Sequence, residues 1–233
     1  MGGEIVEAMR NFLNINTTFF TVLGYPMSYL EFFGTLLNLW SVWLVARNNI
    51  LTWPIGIVAV ILFGILFYQI QLYSDFMEQV YFIGSGFYGW WAWIYLRRKK
   101  KGKKSEGAKL RVSRTSTKNI VICGAIIAAG TISMGYLMGH IHEYLPSLFT
   151  EPASYPYLDA FTTVMSFVAM ILMAHKKVEC WYLWIAVDVI GIWLYFVKDV
   201  RFIAFLYCIF LAIATKGLFN WRNVMKKQEQ VGE

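Results

Sequence analysis

Residues 29–53 read YLEFFGTLLNLWSVWLVARNNILTW, and residues 157–181 read YLDAFTTVMSFVAMILMAHKKVECW. The two stretches align at a constant offset of 128 residues, with no gap. Tyr29 meets Tyr157, Leu30 meets Leu158, Glu31 meets Asp159 and Phe33 meets Phe161. Thr35 meets Thr163, Asn38 meets Ser166, Ala46 meets Ala174 and Trp53 meets Trp181. Apolar helices resemble one another by composition, but matched polar and aromatic positions need another cause. Further on, Phe76 and Tyr81 answer Phe202 and Tyr207 after a slip of two residues. The chain reads as a duplication.

Each copy opens on an apolar run, and outward from these runs the pattern continues. The 233 residues are 58% hydrophobic and only 15% charged, unlike a soluble domain. Seven runs, at 29–46, 53–71, 77–96, 118–139, 157–174, 180–197 and 202–221, are each of the length that crosses a hydrocarbon core of about 30 Å as a helix. Backbone groups in lipid must be paired within the segment, so these runs are expected to be helical. The expected fold is an all-α polytopic membrane protein with seven transmembrane helices in a 3+1+3 arrangement. Residues 29–97 form the first three-helix repeat and 157–221 the second. Residues 118–145 hold a linker helix, NIVICGAIIAAGTISMGYLMGHI, whose small residues permit close packing. Four crossings separate the copies, so the repeats are parallel. In transporters with such repeats the substrate site lies near the midplane between the halves.

Charge sets the expected orientation. The net charge is +7, and the basic density gathers in RRKKKGKKSEGAKLRVSR (97–114), which leads into and fills most of a polar loop at 98–117. A nucleic-acid contact is set aside for the simpler reading, because Lys and Arg collect on the cytoplasmic side of spans. That places Arg47, Lys176, Lys177, Lys216, Arg222, Lys226 and Lys227 inside, and Arg10, Lys198 and Arg201 outside. The N-terminus is then outside and the tail at 222–233 inside. The loop GHIHEYLPSLFTEPASYPY falls outside and has no Lys or Arg. Residues 1–28 lack the basic start of a signal peptide, and EIVEAMRNFLNI reads as a short amphipathic helix on the membrane surface. Cys123, Cys180 and Cys208 show no metal or disulfide spacing.

The stretch ECWYLWIAVDVIGIWLYFVKD, residues 179–199, carries the candidate site. Trp181, Trp184, Asp188 and Tyr195 stand at i, i+3, i+7 and i+14, a stripe about 21 Å long on one helix face. The first repeat begins that face with Trp53 but has Val60 in the place of Asp188. A carboxylate within a span costs a few kcal/mol, so it faces a ligand, water or a partner such as a Tyr on another helix. Trp181 fits an interfacial aromatic belt, whereas Trp184 and Asp188 lie deeper. The stripe Glu31, Thr35 and Asn38, echoed by Asp159, Thr163 and Ser166, either lines a path or bonds neighbouring helices. In the third run, Glu78, Gln79, Tyr81, Ser85 and Tyr88 are polar candidates, and Tyr207 joins them from the seventh. Indole faces stack on flat rings and attract cations. A carboxylate grips ribose hydroxyls, and an amide such as Gln79 reads a carboxamide. The set suits a flat, cationic heteroaromatic nucleoside.

LTWPIGI at the start of the second run, FYGWWAW at the end of the third and WYLWIAVD at the start of the sixth carry a resemblance. With the 3+1+3 layout, they resemble the PnuC-type nicotinamide riboside transporters over about residues 29–221. WYLWIAVD is similar to that family's tryptophan motif ending in Asn or Asp. The resemblance implies that Trp181, Trp184 and Asp188 are substrate-site residues. It implies a SWEET-like fold, a homotrimer and facilitated diffusion across the bacterial inner membrane. It also implies a cytoplasmic kinase that traps the riboside by phosphorylation. Relatives of this family carry thiamine or riboflavin.

Three readings differ in kind. The first is a uniporter for nicotinamide riboside, with no cofactor and no enzymatic step. The second is a carrier of another vitamin or of a sugar, since aromatic clamps also stack sugars. The third is an intramembrane enzyme or haem protein, which needs paired ligands or a nucleophile with its base. His140 and His142 fall on different helix faces, His175 lies in a loop, and no Ser, His and Asp arrangement appears.

Overall fold

The helices follow from the apolar runs, and their ends follow from local chemistry. The computed structural model describes residues 2–22, 25–69, 73–99, 111–145, 155–197 and 201–230. Most of the basic loop (100–110), the outer-loop residues 146–154, Lys198 and the last three residues of the tail lie outside the described residues. The chain divides into two compact units, Met1–Tyr95 and Leu96–Glu233.

The first unit opens with helix α1 (Gly2–Phe12) and an antiparallel hairpin, β1 (Thr18–Val22) with β2 (Tyr25–Ser28). The hairpin departs from the all-helical expectation, and TFFTV, rich in β-branched and aromatic residues, accounts for it. Helices α2 (Tyr29–Ala46), α3 (Thr52–Gln69) and α4 (Tyr73–Lys99) follow. Ser28 caps α2, and its Oγ accepts from the Glu31 amide at 3.2 Å. The Glu31 carboxylate in turn accepts from the Ser28 amide at 2.8 Å, completing a capping box. The Tyr25 hydroxyl donates to the same carboxylate at 2.5 Å. Burial, then the hydrogen bond and charge of Glu31, push the Tyr25 hydroxyl up to about 12. Glu31 therefore serves the start of α2. Gln69 ties the α1–β1 linker to α3, accepting from the Ile15 amide and donating to the Leu13 carbonyl. Phe12 and Phe33 pack with Leu30, Leu62 and Leu66 at that end of the unit.

The second unit holds helices α5 (Thr117–Tyr144), α6 (Pro156–Ala174), α7 (Cys180–Val197) and α8 (Arg201–Gln230). The small residues of α5 let it lie close against α6. A Cβ built on Gly130 would lie 2.9 Å from Val164, and one on Gly135 would lie 2.4 Å from the Tyr157 ring. Ser166, buried on α6, donates to the Thr162 carbonyl of its own helix.

Among the described residues, six helices are long and apolar enough to cross a membrane: α2, α3, α5, α6, α7 and the Ala204–Gln230 part of α8. The run expected at 77–96 is helical within α4 but is not among the six. Its Trp, Tyr, Gly and Ser residues, with Glu78 and Gln79 near the start, lower its mean hydropathy.

The duplication extends further than the sequence pattern. Asn48, two residues past α2, has φ at 56°, and Lys176, two residues past α6, has φ at 51°. Asn49 and Lys177 donate back to Leu44 and Leu172 at 3.0 and 2.9 Å. At each corner a tryptophan starts the next helix. Trp53 packs edge-on against Trp93, with ring centroids 5.4 Å apart, and covers Gly89. Trp181 packs edge-on against Trp221, also at 5.4 Å, and covers Gly217. Trp53 and Trp181, Gly89 and Gly217, and Trp93 and Trp221 all stand 128 residues apart. The slip of two residues in the last helix of each repeat is therefore corrected. Both helices run unbroken through these corners at the original offset, so Tyr207 answers Gln79 and not Tyr81.

Candidate functional site

Helix α7 begins at the α6–α7 corner, and its first residues divide into two roles. Trp181 is fully buried, wedged between Trp221 and Gly217, and its Nε1 has no hydrogen-bond partner. Trp53 is enclosed in the same way in the first unit, with its Nε1 also unpartnered. These two indoles are occupied by their own corners. Trp184, one turn on, is only part-buried, yet its Nε1 is buried without a partner. Asp188 follows four residues later, is 5% exposed, and has no hydrogen-bond or ion-pair partner among the described residues. A buried donor and a buried carboxylate left unpaired each carry a desolvation cost. Here they stand four residues apart on one helix face.

Gly191 continues that face beyond Asp188. A Cβ there would lie 2.5 Å from the Tyr207 ring, so α7 and α8 approach closely at this point. Tyr207 stacks on Tyr195, with centroids 5.3 Å apart and planes inclined by 29°. One face of the second unit thus gathers Trp184, Asp188, Tyr195 and Tyr207. Sequence reasoning named these four but missed Gly191, which its place three residues after Asp188 on the same face could have revealed.

The first unit does not build the same surface. Gly56 stands where Trp184 would be, and a Cβ on it would lie 2.7 Å from the Ser41 hydroxyl. Ser41 Oγ and Thr52 Oγ1 donate to each other's carbonyls at 2.9 Å, closing that corner with polar bonds. Ala169 and Cys180 replace them in the second repeat. The remaining first-repeat candidates are scattered. Asn38 is half-buried on α2. Tyr81 packs on Phe82 of its own helix, and Tyr88 is exposed beside Trp91. Gln79 is buried, donates to the Asp75 carbonyl at 3.3 Å, and lines a groove of about 340 Å³ between α3 and α4. Ile61, Gly64, Ile65, Phe76 and Val80 make most of that groove apolar.

Duplicated three-helix corners, apolar spans and a buried carboxylate, Asp188, with no partner among the described residues, one turn from a part-buried indole, define a polytopic helical membrane protein. Comparison with known proteins assigns the family. The family described as nicotinamide mononucleotide transporter matches residues 28–223, and the chain belongs to it. It is 28% identical over 218 residues to the nicotinamide riboside transporter PnuC of Escherichia coli K12, covering 88% of this chain and 90% of that one. It is 27% identical over 209 residues to the riboflavin/roseoflavin transporter RibM of Streptomyces davaonensis, covering 89% and 91%. The crystal structure of the vitamin B3 transporter PnuC superposes with a TM-score of 0.65 at 22% identity, over 95% of this chain and 88% of that one. The fold is shared with that transporter.

Proposed function

We propose that this chain takes up nicotinamide riboside by facilitated diffusion, with the ligand held on the α7 face between Trp184 and Asp188. The observation that carries the reading is the unpaired pair itself, an indole N–H and a carboxylate that a ligand with an acceptor and a donor would satisfy. The cationic pyridinium of the riboside suits both the carboxylate and the indole face. Tyr195 and Tyr207 close the site along α7, and Trp181 supports it from behind. Asn38, Gln79, Tyr81 and Tyr88 are the first repeat's candidates, and Trp53 serves its own corner. The full arrangement is seven spans in a 3+1+3, SWEET-like layout, with α4 as the seventh, the N-terminus outside and the basic loop inside. The setting is the bacterial inner membrane, as a homotrimer whose product a cytoplasmic riboside kinase traps. Transport exposes the site to each side in turn and needs no coupled ion.

Riboflavin is the second reading, favoured by the similarity to the riboflavin carrier. Calorimetric titration of the purified protein with nicotinamide riboside, riboflavin, thiamine and a sugar separates the two. Saturable binding of the riboside alone, lost in Trp184→Ala and Asp188→Asn, supports the proposal. Binding of riboflavin alone keeps the fold and moves the substrate. Riboside binding unchanged in both variants removes the α7 site.

A further inference from the structure

The two corners that the duplication makes alike also differ in what holds them from outside. In the second unit, residues 112–116, just before α5, run alongside the α6–α7 turn. The Ser113 amide donates to the Lys176 carbonyl and the Val178 amide to the Ser113 carbonyl, both at 3.1 Å, as a parallel bridge. Lys177 Nζ donates to Ser113 Oγ at 2.8 Å and to the Arg114 carbonyl at 3.1 Å. Glu179 accepts on one carboxylate oxygen from the Thr115 amide at 2.8 Å and the Thr115 hydroxyl at 2.7 Å. Val112 and Thr115 are buried by the contact.

Glu179 is also where α7 begins. Its carbonyl accepts from the amides of Tyr182 and Leu183 at 3.2 and 3.4 Å. One residue thus holds the segment with its side chain and the first turn of α7 with its backbone. The first repeat has Asn49 and Leu51 where Lys177 and Glu179 stand. Asn49 spends its side-chain oxygen on the Leu51 amide at 3.0 Å, and leucine offers no acceptor. The gripping pair is therefore a property of the repeat that carries Asp188. Charge-assisted bonds of this kind are short and geometrically demanding, which suits a fixed point better than a moving one.

We propose that Lys177 and Glu179 are positioning residues for transport. By gripping the 112–116 strap, they fix the first turn of α7 and so set where Trp184 and Asp188 stand. The inference rests on the α7 site proposed above. The strap stays closed through the transport cycle.

The test gives the second repeat the residues of the first. In the purified full chain, Lys177→Asn and Glu179→Leu are expected to raise the Kd for nicotinamide riboside about ten-fold each, the scale of one displaced hydrogen-bonded contact. Lys177→Arg and Thr115→Ser, which keep the donors, are expected to stay within about two-fold. A Ser113→Cys/Lys177→Cys pair, with Cys123, Cys180 and Cys208 changed to Ala, separates positioning from folding within one protein. Reduced, it has lost the lysine and is expected to bind weakly. Oxidised, the strap is joined again, and binding and liposome uptake are expected to return. Oxidised protein that binds but does not transport overturns the proposal, because the strap would then have to open. Unchanged affinity in Lys177→Asn and Glu179→Leu also overturns it. Asp188→Asn is the control for the site. Its loss of binding alongside unaffected strap variants removes the positioning role alone, and its normal binding removes the site and that role together.

Discussion

Replacing Gly89 or Gly217 by alanine tests whether the two tryptophan corners hold the repeats together. A Cβ on Gly217 would lie 2.6–2.7 Å from three ring carbons of Trp181, and one on Gly89 would lie 2.1–2.5 Å from three of Trp53. Carbon atoms in contact prefer about 3.5–4.0 Å, so each ring must retreat by about 1 Å or more. Neither ring has room, because Trp221 and Trp93 stand edge-on behind them. Overpacking costs about 1–3 kcal/mol, and separations this short with no room to retreat fall in the upper part of that range, about 2–3 kcal/mol. Alanine returns about 1 kcal/mol of helix propensity, which leaves a net loss of about 1–2 kcal/mol. For a chain of this size that is a fall of about 2–8 °C in the unfolding midpoint, followed by tryptophan fluorescence in detergent. The internal controls are Gly84→Ala and Gly124→Ala, whose new methyl groups meet nothing within 4 Å among the described residues. These are expected to be neutral or slightly stabilising. Adding Trp181→Phe to Gly217→Ala is expected to restore part of the loss, because the smaller ring leaves space for the methyl. Gly89→Ala and Gly217→Ala proteins as stable as the two controls would refute the argument that these glycines exist to seat the indoles.

Other outcomes follow from single contacts. Ser41→Ala removes one donor at the α2–α3 corner, while Thr52 keeps its bond to the residue 41 carbonyl. Thermal unfolding is expected to show a loss of about 1 kcal/mol, and Ala169→Ser in the other repeat is expected to return none of it. Asn48→Gly relieves a left-handed residue whose Oδ1 is buried unpaired, and is expected to stabilise by about 0.5–1 kcal/mol in the same assay. The Tyr25 hydroxyl titrates at about 12 in the folded chain against about 10 when unfolded, so its contribution is complete below about pH 10 and is lost as pH rises through 12. In an absorbance titration of the phenolate band, Glu31→Gln is expected to bring one tyrosine's step to lower pH, and Tyr25→Phe to delete it.

The sequence displays what is local or repeated. Apolar runs and a constant offset of 128 residues made the helices and the duplication legible, and the glycyl and tryptophyl corners obey that same offset. Trp181 and Trp184 show the limit of pattern. They are the same residue type at helical spacing, and only the partner across the helix pair, Gly217 with Trp221, sets Trp181 apart as enclosed. The slip misread at Tyr81 came from matching aromatic identities where the backbone matches Gln79 with Tyr207. Glu31 was read as part of a polar stripe because its position on α2 is visible, whereas Tyr25 and Ser28 reach it from a hairpin that composition did not announce. The strap was invisible for a related reason. Ser113 and Thr115 bond to residues about 64 positions away, and no periodicity encodes a pairing between an extended segment and a turn.

The duplication also explains why the polar face occurs once. A scaffold copied twice starts with two equivalent sites, and a ligand with two different ends needs only one of each group. In the first repeat, Gly56 against Ser41 leaves no room for an indole, and Val60 carries no charge. The space there is spent on the Ser41–Thr52 bonds, which close the corner from within. In the second repeat, Ala169 and Cys180 make no such bonds, Trp184 takes the freed position, and the corner is held from outside by the 112–116 strap. The two differences are one exchange. A corner that gives up its internal polar bonds to make room for Trp184 needs another restraint, and Lys177 and Glu179 supply it. Restoring Ser at 169 and Thr at 180 in a Glu179→Leu chain should therefore recover stability without recovering riboside affinity, since the corner would be closed again around an indole that no longer has its place. Recovery of both would show that rigidity of any kind at this corner suffices, and that the strap has no particular claim on the site.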